Sequence, residues 1–147
     1  MSRRSQPEST LLPIAENLPW AHCTSFDELV AALTADRAEY RLLLAFLGVA
    51  RAGHRRGDDE LQALLVIDRP LPALPDLGHL QALAQEARAE PWEYVLVGPL
   101  RQPDGSLADA EEAALHLQHL ALRVMEGRQL GGYLAFERGG RRVTAGP

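Results

Sequence analysis

The stretch RLLLAFLGVA (residues 41–50) decides the fold, because it is apolar almost throughout and charged residues flank it. A short apolar run of this kind is typical of a strand that is buried on both faces of a sheet. The run LQALLVI (residues 61–67) predicts a second buried strand. Only the polar segment RAGHRRGDDE (residues 51–60), with two glycines, lies between them. We therefore expect the two strands to form an antiparallel hairpin.

Three helices are predicted from capping residues that precede apolar residues at helical spacing. They cover residues 26–39 after Ser25, residues 77–89 after Asp76, and residues 107–126 after Ser106, with Gly127 ending the third. The sequence WEYVLVGPL (residues 92–100) predicts a third strand, which follows the second through a helix. This strand–helix–strand unit implies a right-handed parallel crossover.

The end of the chain predicts a short fourth strand over residues 133–137, which Gly139 and Gly140 could turn back onto residues 141–143. The order of elements is then αββαβαβ, with an optional terminal β. We expect an α/β (α+β-like) domain in which three helices pack on a mixed sheet of four to five strands. Residues 25–147 form this single domain. Residues 1–24 lack a hydrophobic period and predict an N-terminal arm that is partly disordered.

Composition and charge exclude several classes of function. The 147 residues carry a formal net charge of −5 at pH 7, whereas nucleic-acid binders usually show a basic excess and anionic membranes attract basic segments. We therefore expect neither nucleic acid nor a membrane as a partner. Cys23 is the only cysteine, which suits a reducing compartment and predicts a cytoplasmic protein. No phosphate-binding or catalytic motif is present, so no cofactor is expected.

The third predicted helix carries Glu112, His116 and His119 at helical spacing, which makes these residues weak candidates for a metal site. A fourth ligand cannot be identified, and Arg123, one turn beyond His119, would repel a cation. A solvated polar face explains the cluster better, so no metal is predicted. Leu115 and Leu122 fall outside the core face of this helix, and a strip of this kind indicates a partner surface.

The ends of the second and third predicted strands supply the best candidate for a ligand pocket. Asp68 and Arg69 follow the second strand, and Arg101 follows the third, shortly before Ser106 at the start of a helix. If these strands are parallel, their carboxyl ends meet at one edge, where ligands bind in sheets with crossovers. An arginine near a helix N-terminus favours anions. The alternative interpretation is a set of surface ion pairs and a simple turn.

From residue 26 onward the chain resembles a small uncharacterised proteobacterial family whose members are sometimes labelled "ribonucleotide reductase subunit alpha". The resemblance covers most of the chain but includes no catalytic motif, so it implies no functional residues. The label does not suit this chain, because such a subunit is several times larger and its radical chemistry needs multiple cysteines. The segments that carry the resemblance are SFDELVAAL, RLLLAFLGVA, LLVIDRPLPALPDL, WEYVLVG and GGYLAFERGGRRV.

Two hypotheses of function follow from these patterns. The first is a non-catalytic accessory or interaction protein, with a protein partner or a homodimer formed through an edge strand or through the Leu115 and Leu122 strip. The second is a small anionic-ligand binder or enzyme in which Arg69 and Arg101 hold the anion and Asp68 is a candidate base. The missing catalytic motif favours the first hypothesis.

Overall fold

The computed structural model describes residues 10–11, 20–51, 59–126 and 133–143, and within these ranges it confirms the predicted order of elements. The described helices are α1 (Phe26–Ala35), α2 (Leu77–Glu86) and α3 (Ala110–Glu126), with a 3-10 turn at Leu71–Ala73. The described strands are β1 (Thr10–Leu11), β2 (Arg41–Arg51), β3 (Asp59–Pro70), β4 (Tyr94–Arg101), β5 (Leu134–Glu137) and β6 (Arg142–Val143).

The sheet has the strand order β3-β2-β4-β5-β6, and β1 pairs with the end of β4. Every pair of neighbouring strands is antiparallel, so the sheet is not mixed as the sequence predicted. β3 and β4 do run in the same direction, as the crossover requires, but β2 lies between them. β3 pairs with one edge of β2 as its hairpin partner, so α2 returns the chain to the other edge, where β4 must be antiparallel to β2.

Side-chain alternation along β2 divides the core between the two faces of the sheet. α1 and α2 cover one face and α3 covers the other. β2 is buried on both faces, as its apolar run predicts. β3 lies at the edge of the sheet and its residues 62–64 are exposed, so the prediction of a second buried strand is wrong. The β2 residues facing α1 and α2 are Leu42, Leu44 and Phe46, and those facing α3 are Leu43, Ala45 and Leu47.

The segment before α1 is joined to the body of the domain more tightly than the predicted boundary after residue 24 implies. Trp20 is fully buried in the core beneath α1 and α2. The Arg142 guanidinium donates hydrogen bonds to the carbonyls of Ala21 and Cys23, at 2.6 and 3.2 Å. β1 extends the sheet beside Leu100 and Arg101. Trp20 and β1 thus join the segment before α1 to the body of the domain.

The helices are shorter than predicted, and side-chain caps fix where α1 and α3 begin. Ser25 caps α1 as expected, because its hydroxyl accepts the amide of Glu28 at 3.1 Å. α3 begins at Ala110 instead of residue 107, and the Asp109 carboxylate accepts the amide of Glu112 at 2.8 Å. The sequence predicted Ser106 as the cap of this helix. That prediction is wrong, because the amide and the hydroxyl of Ser106 both donate to Asp104.

Several predictions fall on residues that lie outside the described ranges. They concern residues 1–9 and 12–19 of the arm, the 52–58 part of the loop between β2 and β3, and the helix end at Gly127. Among the described helices, none combines the length and the apolar character needed to cross a bilayer.

Candidate functional site

Three strand ends meet at the edge of the sheet for which a ligand pocket was predicted. β3 and β4 both end there, and β2 begins there between them, with Arg41 paired to Pro70 on one side and to Leu100 on the other. Asp68 and Arg101 thus lie at the same end of the sheet, as predicted from the order of the strands. Arg41 was not predicted as a residue of this site, because the sequence does not show that β2 lies between the other two strands.

On the α3 face of this edge, Asp68 is paired with Arg41. Arg41 Nη1 lies 2.7 Å from Asp68 Oδ2, and Arg41 Nε donates to the carbonyl oxygen of Ala108 at 2.8 Å. The two side chains are 15% and 21% exposed, so the ion pair is only partly screened by water. The Arg41 guanidinium therefore balances the charge of the Asp68 carboxylate and joins the sheet to the segment before α3.

On the opposite face, Arg101 lies beside Tyr40 and Asp36. Tyr40 Oη donates a 2.6 Å hydrogen bond to Asp36 Oδ2. Burial, together with this carboxylate, raises the pKa of Tyr40 to about 12, and the hydrogen bond lowers the pKa of Asp36. Arg101 Nη1 donates to the carbonyl oxygens of Gln102 and Pro103, at 3.0 and 3.4 Å. This cluster stabilises the turn between β4 and α3.

The predicted ligand residues therefore do not form one pocket. Asp68 pairs in register with Leu43, which faces α3, whereas Arg101 follows Leu100 and points to the α1 face. Arg69 Nη1 donates to the carbonyl oxygen of Asp68 at 2.7 Å. Ser106 is bound to Asp104, whose pKa is lowered by these hydrogen bonds. Arg69 pairs in register with Leu42 and so lies on the same face as Arg101, whereas Asp68, the candidate base, lies on the other face of the sheet.

The weak metal candidates on α3 are not gathered into a metal site. Glu112 and His116 are partly buried at the flank of the helix, and both have contacts with other residues, while His119 is exposed. Within the described ranges, no group of three or more His, Cys, Asp or Glu side chains is arranged to hold a metal ion. The sequence predicted a solvated polar face for these residues, and Glu112 and His116 lie at the flank of that face.

Leu115 and Leu122 occupy the centre of the solvent side of α3. An ideal helix rotates about 100° per residue, so positions seven apart lie about 20° from each other. Leu115 is 50% exposed and Leu122 is 53% exposed, and Met125, 79% exposed, lies one turn further along. Leu120, on the opposite side, is buried against the sheet. We call Leu115, Leu122 and Met125 the outer strip; Met125 was missed, although its spacing of three from Leu122 could have identified it.

Cys23 lies in the core cluster beneath α1. Burial raises the pKa of its thiol, which opposes formation of the nucleophilic thiolate. Its placement supports the interpretation of Cys23 as a small core residue.

Comparison of the chain with protein-family models, with curated proteins and with solved structures gives no match.

Proposed function

We propose that this chain is a non-catalytic interaction protein that associates with a second copy of itself through the outer strip of α3. The observation that carries the proposal is the clustering of exposed apolar side chains on one helix. Of the four large hydrophobic residues that are exposed in the described part of the chain, three belong to the strip and the fourth is Leu64 on β3. Single exposed apolar residues are common, whereas a contiguous set marks an interaction surface.

The charges beside the strip favour a second copy in antiparallel orientation. Glu112 lies in the first turn of α3 and Arg123 lies in its last turn, both on the same flank of the strip. If Leu115 of one copy packs against Leu122 of the other, a two-fold axis across the helices brings Glu112 of each copy near Arg123 of its partner. In a parallel two-fold arrangement the flanks that carry Glu112 and Arg123 would lie on opposite sides of the helix pair, so these charges could not pair between the copies. Charge complementarity of this kind selects the orientation of a helix pair.

The proposed interface is small, and we expect a weak dimer. α3 has 17 residues, so its length is about 25 Å at 1.5 Å per residue. An interface built around one helix falls at the low end of the size range, where complexes are transient. A cytoplasmic location is part of the proposal and rests on Cys23 as the only cysteine, which suits a reducing compartment.

Sedimentation equilibrium of the full chain over a wide range of concentrations tests the proposal. We expect a monomer–dimer equilibrium that Leu122→Glu abolishes, because the substitution places a carboxylate in an apolar contact. Leu64→Glu is the matched control, since Leu64 is 36% exposed and lies on the edge strand β3. If Leu64→Glu abolishes the dimer and Leu122→Glu does not, the edge strand is the interface. A chain that is monomeric at every concentration contradicts self-association.

A further inference from the structure

A groove with a volume of about 810 Å³ runs along α1, on the face of the sheet opposite α3. α1 lines it with Ala31 and Ala35, and the proline-rich segment that follows β3 lines it with Pro72 and Pro75. Tyr40 lies at the end nearest the strand ends. The groove is open to solvent along its length. Its volume is within the range of about 300–1,000 Å³ that is typical of sites for small organic ligands.

The small side chains in this groove leave room for the body of a ligand. Ala31 and Ala35 are both exposed, so neither is needed to fill the core. Proline and alanine present apolar carbon atoms without donors, and apolar lining of this kind favours the aliphatic or aromatic part of a ligand. The charged groups that line the groove then select the charge of the ligand.

The charged groups that line the groove, among the described residues, are two carboxylates. Asp27 lies in the first turn of α1 and Glu39 lies four residues beyond its last residue, so they mark opposite ends of the groove. The amide of Leu77 donates to Asp27 at 2.8 Å, which holds that carboxylate in place. The last turn of α1 has no basic residue. Its carbonyl groups therefore add partial negative charge near Glu39.

From this combination of an apolar groove and carboxylates at both ends, we propose that the groove binds a small organic cation. The ligand has an ammonium or guanidinium group close to Glu39 and an aliphatic or aromatic body against the alanine and proline residues. An anionic ligand of the same size would meet two like charges in the lining, and Arg101, beside Tyr40 but outside the lining, donates to the carbonyl oxygens of Gln102 and Pro103. The site is on the other side of the sheet from the outer strip, so it does not depend on self-association.

Three probes of equal chain length separate the role of charge from the role of apolar contact. Octylammonium, 1-octanol and octanoate are titrated at pH 7 into the full-length ¹⁵N-labelled protein, and amide shifts are followed by NMR. We expect octylammonium to bind most tightly and octanoate least. The largest shifts are expected at Ala31, Ala35 and Tyr40, which line the groove.

Variants locate the two parts of the site. Glu39→Gln should weaken octylammonium binding about two- to fivefold, the range of a single exposed charge pair, and should leave 1-octanol binding unchanged. Glu86→Gln is the matched control, since Glu86 is an exposed carboxylate on α2 that does not line the groove. Ala31→Trp should remove binding of all three probes by filling the groove. Because Ala31 is exposed, this variant should keep the circular dichroism spectrum of the parent.

Any one of the following results would overturn the inference. The first is binding of octanoate as tight as that of octylammonium, which would remove the argument from charge. The second is an equal loss of octylammonium affinity in Glu39→Gln and Glu86→Gln. That result would show that the loss depends on the net charge of the protein and not on Glu39 itself. The third is unchanged shifts in a folded Ala31→Trp variant, or the absence of any shift with the three probes, which would show that the groove is not the binding site.

Discussion

Leu120 and Leu122 form a pair of residues, two positions apart on α3, whose replacement by alanine should have different effects. Leu120 is 1% exposed and packs against the sheet, whereas Leu122 is 53% exposed. Leu120→Ala opens a cavity in the core and should lower the free energy of unfolding by about 2–5 kcal/mol. Leu122→Ala should change the free energy of unfolding of the dilute monomer by no more than about 0.5 kcal/mol.

The effect of Leu122→Ala should appear in the dimer. Full burial of a leucine side chain contributes about 1.5–3 kcal/mol, and about half of the Leu122 side chain is still available for burial. A two-fold interface contains this residue twice, so the substitution should cost about 1.5–3 kcal/mol of association free energy. That cost corresponds to a dissociation constant roughly 10- to 100-fold higher, at about 1.4 kcal/mol per factor of ten.

Two measurements separate the residues. Denaturant unfolding at low protein concentration reports monomer stability, and sedimentation equilibrium reports the dissociation constant. Equal loss of monomer stability in Leu120→Ala and Leu122→Ala would show that α3 does not pack on the sheet with Leu120 inward and Leu122 outward. An unchanged dissociation constant in Leu122→Ala, for a protein that does dimerise, would show that the outer strip is not the interface.

Three further predictions concern single residues. Asp109→Ala removes the acceptor for the amide of Glu112 at the start of α3 and should lower the free energy of unfolding by about 0.5–2 kcal/mol in a chemical denaturation experiment. Gly140→Ala should be more destabilising than Gly105→Ala in the same assay: both glycines have positive φ, at 94° and 88°, but a Cβ at Gly140 would lie 2.8 Å from Leu77 Cδ2. The chain has no lysine whose titration would overlap that of Tyr40. Because the pKa of Tyr40 is raised from 10 to about 12, its contribution to stability is complete below pH 10 and is lost as the pH rises through 12. Tyr40→Phe should make the stability less dependent on pH in this window, and an unchanged dependence would contradict the assignment.

Most of the elements could be predicted from the sequence because each depends on local physical chemistry. The apolar run of β2 has no polar face to expose, so it must lie between two layers of helices. Ser25 and Asp76 cap their helices as predicted, since each is followed by apolar residues at helical spacing. The predicted start of α3 at residue 107 was wrong, because the Asp109 carboxylate accepts the amide of Glu112 and caps the helix. The hydroxyl of Ser106, the predicted cap, donates to Asp104 instead.

The side-chain faces of β3 could not be predicted from its apolar run. The pairing of β3 with β2 shifts between Phe46 and Leu47, so that Phe46 pairs with Leu65 and Leu47 pairs with Ala63. Leu64 is the extra residue of this bulge, and it packs close to Gly48, where a Cβ would lie 3.1 Å from Leu64 Cδ1. A bulge breaks the period of two, so alternation in the sequence no longer identifies which residues face which layer.

The sequence could not show which face of the sheet each candidate ligand residue occupies, for a reason that applies to any site inferred from strand ends. Chain order places Asp68 and Arg101 after two strands that run in the same direction, and that inference is correct. It says nothing about which face of the sheet each side chain occupies, and one residue of difference in register moves a side chain to the opposite face. Strand order also places Arg41 against Asp68, 2.7 Å away, where it neutralises the carboxylate that was expected to serve a ligand. The residues that form a site at the end of a sheet therefore depend on which strands pair and in which register. The residue types at the strand ends do not show this.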